Sequence, residues 1–160
     1  MKSRSRIATA TAVTLLAAAG LSGLALAQGG LTGLFNARGT IDPFEIRDRG
    51  AKLKIRAHEP IDVAIVGAQL AGGAQTGWHT HPTDSVVAVQ PGGPTLEMVT
   101  ERHGTCVEQT FGPGRSFVHP AGPHNFVNTD GARPLTFGVA YFVPVGATLL
   151  TPIAAPAACP

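Results

Sequence analysis

Charge and sulfur are scarce in this sequence. Only 14% of its 160 residues are charged, two are cysteines, and there is one tryptophan and one tyrosine. Two cysteines alone make a poor metal site, so a thiolate zinc cluster is excluded. Sparse and nearly balanced charge offers no basic face for nucleic acid. Helical periodicity is missing as well: beyond residue 27 no segment repeats its apolar residues at 3.6. What is plentiful is apolar surface and punctuation, with 44% hydrophobic residues, 20 glycines and 13 prolines. An apolar share of that size excludes a wholly disordered chain, and the length suits one domain with one core.

The formal charge of +2 is owed to the first six residues. Lys2, Arg4 and Arg6 precede an uncharged apolar stretch, residues 7–27, that ends in Ala25-Leu26-Ala27. Basic, then apolar, then small is the layout of a secretory signal peptide cleaved after Ala27. The stretch is also long enough for an uncleaved membrane anchor. Its Ala, Thr and Gly content and the lack of a basic stop-transfer cluster favour cleavage. Residues 1–27 are therefore expected to be a signal, and the protein to be secreted or periplasmic, touching a membrane only if the segment is uncleaved. Removing the three basic residues leaves nine bases against ten acids, a net charge of −1. In an oxidising compartment Cys106 and Cys159 have only each other, and a disulfide is expected.

Residues 28–38, rich in Gly and Leu, read as a flexible lead-in. From residue 39 short strands follow, at 52–56, 61–66, 86–89, 96–100, 107–111, 116–119, 125–129 and 135–143. Gly72-Gly73, Pro91-Gly92-Gly93-Pro94 and Gly112-Pro113-Gly114 form turns between them. Such spacing predicts an all-β sandwich or barrel over residues 39–147. The Ala/Pro-rich residues 148–160 form an extended tail that Cys159 ties back near Cys106.

Six histidines occur. His79 and His81 lie two apart, so on a strand both imidazoles point to one face and make half a metal site. Their surroundings, Gly73-x5-His79-x-His81 and then Gly114-x5-Pro120-Ala121-Gly122-Pro123-His124-x3-Asn128, resemble the two motifs of the cupin superfamily, G-x5-H-x-H-x3,4-E-x6-G and G-x5-P-x-G-x2-H-x3-N. The resemblance spans residues 73–128. It implies a double-stranded β-helix jelly-roll barrel. It further implies that His79, His81 and His124 bind a divalent transition metal such as Mn, Fe, Ni, Cu or Zn.

Two departures stand out. The motif glutamate is absent: Ser85 has the inward parity, and Asp84 should face away. The turn before His124 is one residue short. His119, just before Pro120, is the candidate acid/base, with a fourth ligand or a wall residue as its alternatives. His58 and His103 read as solvated, Trp78 as outer packing, and Asn128 as structural. Phe117, Phe126, Phe137, Tyr141 and Phe142 read as core. Glu97, Glu101 and Glu108 fall at no motif position.

The resulting expectation is an exported metal-binding protein that binds or transforms a small organic molecule. If it is an enzyme, the resemblance implies a dioxygenase, isomerase or lyase. A non-catalytic ligand- or metal-binding module and a metal-free structural jelly roll stay open. A homodimer is allowed, and nucleic acid is not expected.

Overall fold

A computed structural model describes residues 30–159, so the expected signal segment lies outside the described residues. Twelve strands occur: β1 (Leu31–Ile41), β2 (Phe44–Asp48), β3 (Leu53–Ala57), β4 (Ile61–Leu70), β5 (His79–Thr80), β6 (Ser85–Val89), β7 (Leu96–Arg102), β8 (Thr105–Phe111), β9 (Ser116–His119), β10 (His124–Asn128), β11 (Leu135–Pro144) and β12 (Thr151–Pro152). They form two five-stranded antiparallel sheets, ordered β1-β4-β11-β6-β9 and β12-β5-β10-β7-β8, with β2 and β3 as a separate hairpin. No helix occurs among the described residues. This is the all-β sandwich expected from the spacing of strands and turns, with the double-sheet arrangement that the motif resemblance implied.

Alternation in the sequence builds the core. Along β11 the residues Leu135, Phe137, Val139, Tyr141 and Val143 are buried while their neighbours are half-exposed. Leu96 and Met98 of β7, Val87 and Val89 of β6, Ala64, Ala68 and Leu70 of β4 and Phe126 of β10 meet them between the sheets. Each large side chain buried this way contributes about 1.5–3 kcal/mol.

The reading of residues 28–38 as a flexible lead-in is corrected. Residues 31–41 form β1, paired with β4 from Leu31↔Leu70 to Ile41↔Ile61. Nearly all of its side chains stay exposed, so no burial alternation marks it in the sequence. Backbone pairing holds it, reinforced where Arg38 and Thr40 both donate to Asp62. These bonds, with one from the Gly146 amide, hold the Asp62 carboxyl down at about 2. The sheets also run past residue 147, because β12 pairs with β5 and brings the tail into the second sheet. Cys106 and Cys159 are disulfide-bonded, as expected.

The strand at 86–89 lies inside its sheet, between β11 and β9, yet its outer face is open: Val86 is 44% exposed. Register places Ala37, Ile65, Ala140, Val86 and Val118 in one row across the outer face of this sheet, without a charge. Such a row departs from the polar-out habit of a solvated antiparallel sheet.

Asn128 is structural, as its motif position suggested. It is fully buried, and its amide nitrogen donates to the carbonyls of Leu70, Ala71 and Arg133 while its oxygen accepts from the Asp130 amide. It therefore clamps the end of β4 to the turn before β11. Asn128→Ala strands these groups in the interior and is expected to cost about 2–4 kcal/mol. The urea midpoint should fall with an unchanged m-value, and an unmoved midpoint would contradict the clamp.

Candidate metal centre

β5 and β10 run antiparallel, and the register sets His124 directly opposite His79. Opposed residues share a face, so both imidazoles enter the space between the sheets. His81 follows two residues after His79 and enters from the same side. The three are 3%, 7% and 0% exposed, and their ligand nitrogens lie within 4.8 Å of one another. The shortened turn thus leaves His124 at the site.

Each of these rings is held by a backbone carbonyl. His79 Nδ1 donates to Gly77 O at 2.7 Å, His124 Nδ1 to Gly122 O at 2.6 Å, and His81 Nδ1 to Leu149 O. A carbonyl can only accept, so all three Nδ1 atoms carry the proton and all three Nε2 atoms present bare lone pairs. His79 Nε2 and His124 Nε2 are 2.8 Å apart. Two lone pairs at that distance repel unless a cation or a shared proton lies between them. Neutral, carbonyl-oriented imidazoles converging by Nε2 are the donor set of a divalent transition metal, and the group fits one.

Burial keeps these rings neutral. Desolvation pushes His79 down to about 4 and His124 to about 2, and lowers His81 as well. A histidine in the unfolded chain titrates near 6.5. Between that value and about pH 4 the unfolded chain binds more protons than the folded one, so stability falls as the pH falls. For metal-free protein the melting temperature should therefore decline on acidification from pH 6.5 to pH 4 and stay level just above pH 6.5. A flat profile across the lower window would show that these rings charge freely in the fold.

A fourth imidazole adjoins the three. His119, at the end of β9, is opposite Ser85 of β6 and shares a 2.9 Å hydrogen bond between its Nδ1 and the serine Oγ. Its ring lies 3.9 Å from that of His124 and 4.8 Å from that of His81. It is 1% exposed, and its Nε2 is a buried polar atom with no partner. Burial pushes it down to about 3. Ser85 does face inward, but toward His119. Asp84 faces out and caps the Ala121 amide.

The site opens on a cavity of about 80 Å³, walled by apolar residues of β4, β10 and β11 and by Leu149 and Leu150, and reached by His79, His81, Thr76 and Tyr141. His119 and His124 are not part of its lining. His58 and His103 are exposed, and Trp78 packs on the outer face beside the disulfide, as expected. Sequence reasoning missed the Leu149 carbonyl, which no side-chain pattern could mark. It also read Tyr141 as core alone, although its inward parity on β11 was a usable signal.

No protein-family model and no curated protein matches the chain. Solved structures resemble part of it. A cupin domain from Bordetella pertussis Tohama I is 24% identical, with 65% of this chain and 93% of that one covered and a TM-score of 0.42. A recombinant oxalate oxidase in complex with glycolate is 19% identical over 56% of this chain and 45% of that one, TM-score 0.47. Peruvianin-I, a cysteine peptidase from Thevetia peruviana latex, is 22% identical over 57% and 56%, TM-score 0.48. The chain thus spans about half the length of the last two. In this chain's own double-sheet jelly roll both motif histidine segments meet between the sheets.

Proposed function

We propose that the chain is an exported metal-binding cupin that holds a divalent transition metal on His79, His81 and His124 and binds or transforms a small organic molecule in the adjoining cavity. The observation that carries this reading is the convergence of three neutral Nε2 lone pairs, each ring locked by a carbonyl on its other nitrogen. When bound, the metal supplies Lewis acidity toward a ligand oxygen. The chain's own residues do the rest. The carbonyls of Gly77, Gly122 and Leu149 orient the ligating rings, and the apolar wall excludes water.

His119 is the imidazole this set leaves over. Neutral, and with its Nε2 unpartnered, it stands beside His81 and His124, where burial makes it a weak proton acceptor. Because it lies outside the cavity lining, its contact is with the ligating rings rather than with a bound molecule. The apolar row on the outer face of the first sheet supports a homodimer.

The deciding measurement is metal content. Metal-free protein offered Mn, Fe, Co, Ni, Cu or Zn should take up one equivalent, read by mass spectrometry. His119→Gln should retain that equivalent, because the three other rings suffice; its loss would make His119 a ligand. A chain that takes up none of these metals would overturn the reading. The same preparations in sedimentation equilibrium should run as dimers, and a monomer at all concentrations would remove that part of it.

A further inference from the structure

The cavity beside the three histidines has one chemical character. Among its lining residues there is no Lys, Arg, Asp or Glu; apart from Thr76, His79, His81 and Tyr141 every one is apolar. The polar groups among them are already engaged. The Thr76 hydroxyl lies 3.2 Å from Asn125 Oδ1 and accepts from the Phe126 amide. His79 and His81 spend their Nδ1 protons on Gly77 and Leu149. Tyr141 differs. Its side chain is 6% exposed and its ring lies 5.0 Å from that of His81, yet among the described residues its hydroxyl has no partner. Among the described residues His119 Nε2 is the fully buried side-chain nitrogen or oxygen without a partner, and the Tyr141 hydroxyl is not such an atom. A phenol carries its proton at neutral pH and is a hydrogen-bond donor.

A molecule entering this space thus meets bare histidine nitrogens, one free hydrogen-bond donor and otherwise hydrocarbon. We propose that the site takes a mainly apolar molecule with a single oxygen donor, and that the Tyr141 hydroxyl hydrogen-bonds that oxygen beside the histidine group. The class follows from desolvation. One oxygen is accommodated by the metal and Tyr141. A second charged group would lie against Val66, Phe137 or Val139 with no cation to meet it, and an unpaired charge in such surroundings is strongly disfavoured. Phenols and simple ketones belong to the class; dicarboxylates and zwitterions do not. The metal's part in this assignment rests on the proposed function, whereas the apolar wall and the free hydroxyl do not.

Fluorine NMR tests it with three probes: 4-fluorophenol, fluorobenzene, which lacks the oxygen, and difluoromalonate, a dianion. Wild-type protein, both metal-free and offered Zn, should bind 4-fluorophenol at least about tenfold more tightly than either of the others. In Tyr141→Phe, which keeps the ring, 4-fluorophenol should weaken about 3- to 10-fold, with fluorobenzene and metal content unchanged. Difluoromalonate binding as tightly as 4-fluorophenol, or an unaltered 4-fluorophenol affinity in Tyr141→Phe, would overturn the proposal. If zinc is not taken up, the metal reading falls, and the metal-free arm still decides the ligand class and the part of Tyr141.

Discussion

Replacing His79 and His81 together with alanine is expected to abolish uptake of the metal equivalent, lowering affinity by well over about 100-fold. Loss of an orienting partner alone costs 10- to 100-fold, and here two of three donors go. The remaining ligand ring, His124, would keep its bond to the Gly122 carbonyl but lose the His79 nitrogen opposite it, with only His119 left beside it. Two neutral imidazoles in an apolar interior hold a divalent ion far more weakly than the full set. The fold should survive, because the hydrocarbon core from Leu70 to Val143 does not depend on these rings. His58→Ala/His103→Ala is the matched control: two exposed imidazoles are removed, and metal uptake should not change. Mass spectrometry of the metal-loaded variants reads the outcome. Full stoichiometry in His79→Ala/His81→Ala would show that the metal resides elsewhere on the chain.

Removing the disulfide by Cys106→Ser/Cys159→Ser is expected to cost about 2–4 kcal/mol of stability. The bridged residues are 53 apart, and closing a loop of that length restricts the unfolded chain by about 4 kcal/mol in the chain-entropy treatment, an upper figure. The effect should not stop at stability. Between β11 and Cys159 the chain supplies the Leu149 carbonyl that orients His81, the Leu149 and Leu150 side chains that wall the cavity, and β12. With the staple gone, the short pairing of β12 with β5, the Ile153 amide on the Trp78 carbonyl and the Leu149–His81 bond are left to anchor this segment. Metal affinity should therefore fall about tenfold, the size expected when the partner of a ligating imidazole is loosened. Thermal unfolding and chelator competition, each with and without reductant on the wild type, measure the two effects separately. Lower stability with unchanged metal affinity would show that Leu149 holds its place without the bridge.

Much of the fold was legible because the inner strands carry their burial in their side chains. The alternation of β11, the apolar runs of β6 and β7 and the Gly/Pro turns all appear in the residue order. β1 was not legible: its stability lies in a backbone ladder to β4 and in the Asp62 bonds, and a strand exposed along nearly its whole length leaves no period-2 trace. The segment at 86–89 is apolar on both faces, as a strand covered on both sides would be. The opposite sheet covers only one side, and no sequence pattern states which face a neighbour will cover.

The site divides in the same way. His79 and His81 were legible from their two-residue spacing, and Ser85 and Asp84 from parity, because strand geometry fixes which side chains share a face. Cys106 and Cys159 paired as the only two thiols. The sequence by itself thus determined the class of fold, the type of donor and the disulfide, all of which follow from composition and local periodicity. Only the tertiary structure decided which carbonyl fixes each ring's tautomer, that Ser85 meets His119, and that Tyr141 lines a mainly apolar cavity beside His81. Those facts depend on contacts such as Leu149 to His81, across 68 residues of chain. Contacts of that kind come from the register and packing of distant strands, and no local pattern encodes them.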